Sequence, residues 1–115
     1  MQELLTNTNE VSVAYNGLDG QRSVKKEAPD LIITDLMMPI MTGLEFLEWI
    51  KSEEEYRNIP VIILTISLSE DEIKKAYSAG ANSFFNKPSN AGEYKELLLL
   101  IEQYWGVSIK SLLIP

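Results

Sequence analysis

Apolar positions in this chain fall into two patterns, and the patterns alternate. Asp30-Leu31-Ile32-Ile33-Thr34-Asp35 and Pro60-Val61-Ile62-Ile63-Leu64-Thr65 are short, unbroken apolar runs rich in β-branched residues, each closed by a polar residue. Such runs predict strands buried on both faces, as in a parallel sheet. Two weaker strands are predicted over Glu10 to Tyr15, where Val11, Val13 and Tyr15 alternate, and over Ser83 to Asn86. Helical periodicity fills the intervals. Thr42 with Glu45, and Ser69 with Glu72, have the spacing of a capping box. Leu44, Leu47 and Ile50 follow the first on one face; Ile73, Ala76 and Tyr77 follow the second, with Gly80 as a stop. Asn90 with Glu93 opens a third helix, whose stripe of Tyr94, Leu97, Leu98, Ile101 and Trp105 closes at Gly106. A weaker helix lies between Leu18 and Glu27, with Gly20 counting against it.

The order is therefore β-α-β-α-β-α-β-α, followed by an apolar tail from Val107 to Pro115. Strands alternating with helices predict a layered α/β fold on a parallel sheet. In such folds the functional crevice lies at the carboxyl ends of the strands. At 115 residues there is room for one domain.

Composition removes whole classes of chemistry. There is no cysteine and no histidine, which excludes disulfides, thiolate or imidazole zinc sites, and Ser-His-Asp hydrolysis. The chain cannot be a histidine phosphodonor. Its net charge of −7 argues against a nucleic-acid partner. The longest purely apolar run is Leu97 to Ile101, too short for a membrane span. No signal peptide is recognisable, so a cytoplasmic location is expected.

The strand-end rule turns three residues into a candidate site. Asp35 ends one strand, Thr65 ends the next and Lys87 follows the last. A carboxylate, a hydroxyl and an ammonium would then meet on one sheet edge. Asp35 could attack phosphorus or hold a metal, Thr65 could donate to a phosphoryl oxygen, and Lys87 could neutralise its charge. The same trio also arises as two strand-end caps and a solvated lysine, and spacing does not separate these readings. Met37, Met38 and Met41 read as loop and packing residues, and Glu53 to Glu55 as a solvated helix end.

The wording around the trio adds a resemblance. Asp30 to Pro39, followed by Thr42-Gly43, resembles the phosphoacceptor segment of two-component response-regulator receiver domains. Ile59 to Thr65 resembles their fourth strand, and Ala79 to Pro88 their fifth strand and its Lys-Pro turn. The likeness runs from about Glu3 to Trp105, with spacings of 30 and 22 residues between Asp35, Thr65 and Lys87. The helix ending Ile101-Glu102-Gln103-Tyr104-Trp105 is similar to that of single-domain, chemotaxis-regulator-like receivers, including the phytochrome-associated subgroup. The resemblance implies a flavodoxin-like three-layer α/β/α fold, with a receiver domain over residues 1–106 and a short tail over 107–115. It implies a non-enzymatic module in which Asp35 takes a phosphoryl group from a sensor histidine kinase or phosphotransfer protein. Thr65 and Lys87 would contact that group, Phe84 would be an aromatic switch (or plain core), and the bond preceding Pro88 would be cis. Mg²⁺ would be held by the Asp35 side chain and the Met37 backbone carbonyl.

One part of the family pattern is missing. A receiver opens with an apolar strand ending in paired acidic residues that hold the metal. Here Met1-Gln2-Glu3-Leu4-Leu5 resembles the end of the first helix instead. Weak or absent Mg²⁺ binding and impaired phosphorylation are expected. A phosphorylation-independent interaction module is the alternative. A haloacid-dehalogenase-type phosphatase is a poorer one, because Met37 stands where it needs a second aspartate.

In the family's strand order, 2-1-3-4-5, the missing strand is the central one. Burial of one aliphatic side chain is worth about 1.5–3 kcal/mol, so about five of them outweigh a typical domain's margin of roughly 5–15 kcal/mol. An open slot is untenable in a monomer. The Glu10-to-Tyr15 strand could slide over, the tail from Val107 to Ile114 could fold in, or a second chain could cover the edge. The expectation favours a homodimer. A partner surface is expected on the last helix, anchored by Tyr94, Leu98 and Trp105. With ten residues beyond Trp105, output by protein contact or phosphoryl relay is expected.

Overall fold

The computed structural model describes residues 10–38, 40–66, 69–105 and 110–115. The elements are β1 (Glu10–Val13), α1 (Gly17–Lys26), β2 (Leu31–Asp35), α2 (Gly43–Ser52), β3 (Val61–Thr65), α3 (Glu70–Ser78), β4 (Ser83–Asn86), α4 (Ala91–Trp105) and β5 (Lys110–Ile114). The strands form one sheet in the order β1-β5-β2-β3-β4, and every adjacent pair is parallel.

The two strongest apolar runs become β2 and β3, buried along almost their whole length. Alternate residues serve opposite faces. Ile32, Val61 and Ile63 join Val24 of α1, Phe46, Leu47 and Ile50 of α2 and Ala76 of α3 in one core. Leu31, Ile33, Ile62 and Leu64 join Leu98 and Ile101 of α4 in the other. The result is three layers, with α1, α2 and α3 against one face and α4 against the other. Helix starts follow the sequence signals. Thr42 and Glu45 form a full reciprocal capping box, and Ser69 Oγ accepts from the Glu72 N–H.

The central slot is closed by the tail, and this corrects the expectation of a covering dimer. β5 lies between β1 and β2, with Val11 beside Ser111 on one edge and Leu31 beside Ser111 on the other. β1 does not slide onto β2. A single chain thus satisfies the backbone groups of both flanking strands, and the argument for a second chain at this edge falls away. Leu112 and Ile114 point into the first core and Leu113 into the second, so the insert works on both faces. Its entry is clamped: the Asp30 N–H donates to the Lys110 carbonyl at 2.7 Å. The Lys110 N–H donates to Asp30 Oδ2 at 2.8 Å, and Lys110 Nζ meets Glu27 Oε2 at 2.6 Å.

Gly20, a mark against helix α1 in the sequence, has a packing reason. A Cβ there would lie 2.7 Å from Ile114 Cδ1 and 2.9 Å from Phe46 Cε1. The missing side chain lets α1 settle directly on β5. The insert also carries a flaw. Ser111 is 3% exposed, and its hydroxyl has no hydrogen-bond partner.

Two outcomes follow for stability, both read by denaturant unfolding. Ser111→Ala removes an unpaired buried hydroxyl and should raise stability by about 1 kcal/mol. Leu112→Ala empties the slot from within and should cost about 2–5 kcal/mol. A negligible loss for Leu112→Ala would mean that β5 does not occupy the centre of the sheet in solution.

Candidate functional site

The three strand-end residues come together as the sequence predicts. Asp35 closes β2 and Thr65 closes β3, and the register sets Asp35 beside Leu64, one residue before Thr65. β4 runs beside β3 with Asn86 opposite Thr65, so Lys87 emerges one step past the sheet edge. The Lys87 N–H donates to the Thr65 carbonyl at 2.8 Å, which ties the loop after β4 to the end of β3. From there the side chain reaches across, and Lys87 Nζ lies 3.2 Å from Asp35 Oδ2. Both side chains are largely shielded, at 25% and 14% exposure. The other carboxylate oxygen, Oδ1, accepts from the Met37 N–H at 3.0 Å. Thr65 itself is wholly buried.

The loop after β2 is shaped to present Asp35. It turns back so that the Gly43 N–H donates to the Leu36 carbonyl at 2.8 Å. A Cβ on Gly43 would lie 2.3 Å from the Asp35 carbonyl oxygen and 2.7 Å from Leu36 Cα, so only glycine admits this approach of α2 to the acceptor strand. Within the loop Ile40 has φ 73°, a left-handed conformation that a β-branched residue adopts only under strain. Met37, Ile40 and Ile66 are exposed, giving the loops beyond Asp35 and Thr65 an apolar rim.

Two expectations are corrected. The bond preceding Pro88 is trans, since no described residue has a cis peptide; trans is the lower-energy isomer of an X–Pro bond. Leu98 is core, 1% exposed, because helical phase turns it onto Leu31 and Leu113; the exposed apolar residues of α4 are Leu100 and Tyr104. Trp105 is half-buried against the same core. Tyr94 is also half-buried, and its ring centroid lies 5.5 Å from Lys87 Nζ. Burial pushes its phenol above the ordinary tyrosine range, and the charge of Asp35 pushes it the same way. Phe84 sits half-buried against the first core. Gly43 and Tyr94 are the site residues whose roles the sequence did not reveal. A glycine one residue after a helix cap was the available signal for the first. For the second its place in an apolar stripe was visible, and that pointed to core and to a partner surface.

Among the described residues, the side chains around Asp35 do not fit a divalent cation. Mg²⁺ seeks several hard oxygen ligands, and Asp35 offers one carboxylate whose two oxygens already face Lys87 and the Met37 N–H. Among the described residues no three acidic, histidine or cysteine side chains cluster as a metal site. The neighbouring strand ends are apolar: Ala14 follows β1, Ile114 ends β5 and Pro115 follows it. What the arrangement offers instead is a shielded carboxylate with a lysine ammonium at contact distance, open to attack an electrophilic phosphorus. No described helix is long and apolar enough to cross a membrane.

Comparison with known proteins agrees with this geometry. Over 91 residues the chain is 37% identical to hybrid signal transduction histidine kinase D of Dictyostelium discoideum, covering 79% of this chain and only 6% of that protein. It is 34% identical over 90 residues to the chemotaxis protein CheY-3 of Vibrio cholerae, covering 78% of this chain and 69% of that protein. The fold matches the phosphorylated cyanobacterial phytochrome response regulator RcpA with a TM-score of 0.77 and 31% identity, covering 84% of this chain and 74% of that one. A sequence model of the response regulator receiver domain matches residues 1–99. With that match, and with Asp35, Thr65 and Lys87 at adjoining ends of a parallel sheet, the chain belongs to the response regulator receiver domain family.

Proposed function

We propose that this protein is a phosphoacceptor in a two-component pathway, with Asp35 as the residue that receives the phosphoryl group. The observation that carries the reading is the contact between Asp35 and Lys87 at 3.2 Å, beside the buried Thr65. A carboxylate oxygen of Asp35 forms the new P–O bond as the P–N bond to a donor's phosphohistidine breaks. The donor imidazole leaves with the bonding electron pair. The donor is a sensor histidine kinase or a phosphotransfer protein. Phosphorylation replaces one negative charge by about −1.5 to −2, and the Lys87 ammonium is the group placed to follow it. Thr65 and Phe84 are the switch residues in this reading. The apolar rim of Met37, Ile40 and Ile66 is the docking ground for the donor.

Output runs through protein contact. On α4, Leu100 is 62% and Tyr104 82% exposed, with Phe85 of β4 exposed beside them. Leu100, Tyr104, Phe85 and Trp105 line one shallow apolar groove, a surface suited to a partner or to a second copy. Protein partners in the cytoplasm fit this surface better than nucleic acid does, given the acidic balance of the chain.

A second reading is supported by the poor fit to a metal. Without Mg²⁺ the transferring phosphoryl group lacks its main counter-charge, and the module would then act by binding alone, independent of phosphorylation. The phosphatase reading has less support, because the residue two positions beyond Asp35 is Met37, which has no acid to protonate a leaving group.

Intact-mass spectrometry after incubation with acetyl phosphate separates the first two readings. A species heavier by about 80 Da, one phosphoryl group, is expected in the wild type and should vanish in Asp35→Asn. Labelling that persists in the variant would remove Asp35 from the role, and a wild type that never labels would leave the binding module. Metal titration tests the missing acid. The register pairs Thr34 with Ile114, so Pro115 stands level with Asp35. Mg²⁺ should bind weakly to the wild type, and Pro115→Asp should tighten binding by on the order of tenfold by adding a second carboxylate. Tight binding to the wild type would mean that other ligands have been recruited.

A further inference from the structure

Lysine side chains are long and flexible, yet Lys87 is held in one place. Its ammonium lies 3.2 Å from Asp35 Oδ2 on one side and 5.5 Å from the centroid of the Tyr94 ring on the other. Tyr94 belongs to the first turn of α4, where its N–H donates to the Asn90 carbonyl at 3.0 Å. The ring packs against the core that α4 shares with β2, β3 and β5, so it is anchored independently of Lys87. An aromatic face attracts an ammonium through its negative π cloud, more strongly where water is partly excluded. A leucine here would fill the same apolar seat without that attraction.

We propose that Tyr94 is a positioning residue of the acceptor site, whose ring holds the Lys87 ammonium against Asp35. The phenol's response to Asp35 is a second link among the same three groups. Burial is the larger cause of its upward shift, and the negative charge on Asp35 adds to it. Through Lys87 the first turn of α4 is linked to Asp35. This contact deepens the phosphoacceptor reading, and only the labelling rate in the test below rests on that reading.

The full chain is compared with Tyr94→Phe, which keeps the ring, and Tyr94→Leu, which removes it. In NMR spectra of unphosphorylated protein, the Lys87 ε-methylene protons should show a ring-current displacement in wild type and Tyr94→Phe. That displacement should be lost in Tyr94→Leu. In Asp35→Asn the phenol of Tyr94, followed through its ring carbon during a pH titration, should move down toward the ordinary tyrosine range. With acetyl phosphate, Tyr94→Phe should label within about twofold of wild type and Tyr94→Leu about two- to fivefold more slowly. In a Lys87→Met background Tyr94→Leu should cause no further slowing, since a positioning residue acts only through the group it positions. An unchanged Lys87 signal in Tyr94→Leu, or equal slowing with and without Lys87, would overturn the proposal. If Tyr94→Leu does not fold, the ring-current displacement of the Lys87 ε-methylene protons in the wild type decides, and its absence overturns the proposal. If no variant labels, wild type included, the phosphoacceptor reading fails, and the Lys87 displacement still decides the positioning role.

Discussion

A parallel sheet has no stable form with its middle strand left out, and most features of this molecule follow from how that requirement is met. β5 bonds along both edges, to β1 and to β2, and fills both cores with Leu112, Leu113 and Ile114. It reproduces the strand arrangement of the family with the last segment of the chain where the first would be. α4 makes this possible by returning the chain from β4 at one edge, across the face of β3 and β2, to the centre. The clamp of Asp30 and Glu27 on Lys110 fixes the register at the entry of the strand, and the absent side chain of Gly20 lets α1 close over its far end.

β5 sets the frame on which the strand-end residues meet. β2, β3 and β4 are held in register, so Asp35, Thr65 and Lys87 lie at the same carboxyl edge. The strand beside Asp35, however, ends in Ile114, followed by Pro115, and neither side chain carries a charge. Asp35 has Lys87 as its counter-charge, and Lys87 in turn lies against Tyr94. The site is built from one carboxylate, one ammonium and one aromatic ring, with the loop to Gly43 pressed close behind.

Much of this was legible in the chain. The unbroken runs of β2 and β3 could be nothing but buried strands, and the polar residues closing them marked the site. The capping residues at Thr42, Ser69 and Asn90 marked helix starts through local hydrogen bonds. Local signals were weaker elsewhere. Leu98 and Leu100 are equally apolar, and only the phase of α4 on the sheet buries one and exposes the other. Gly20 was read as a helix breaker because its packing partner, Ile114, lies far along the chain.

The sequence by itself determined the alternation of strands and helices, the two central strands and the placing of Asp35, Thr65 and Lys87 at strand ends. Each of these rests on periodicity, capping or position at a strand end, all properties of short segments. Tertiary structure alone decided the fate of the tail, the place of Tyr94 and the partners of both carboxylate oxygens of Asp35. Lys110-Ser111-Leu112-Leu113-Ile114 carries a charge and a hydroxyl at its start and has no strong strand signature. It becomes a central strand because two strands from elsewhere in the chain offer it unpaired backbone groups and two apolar faces, an inducement that exists only once they are side by side.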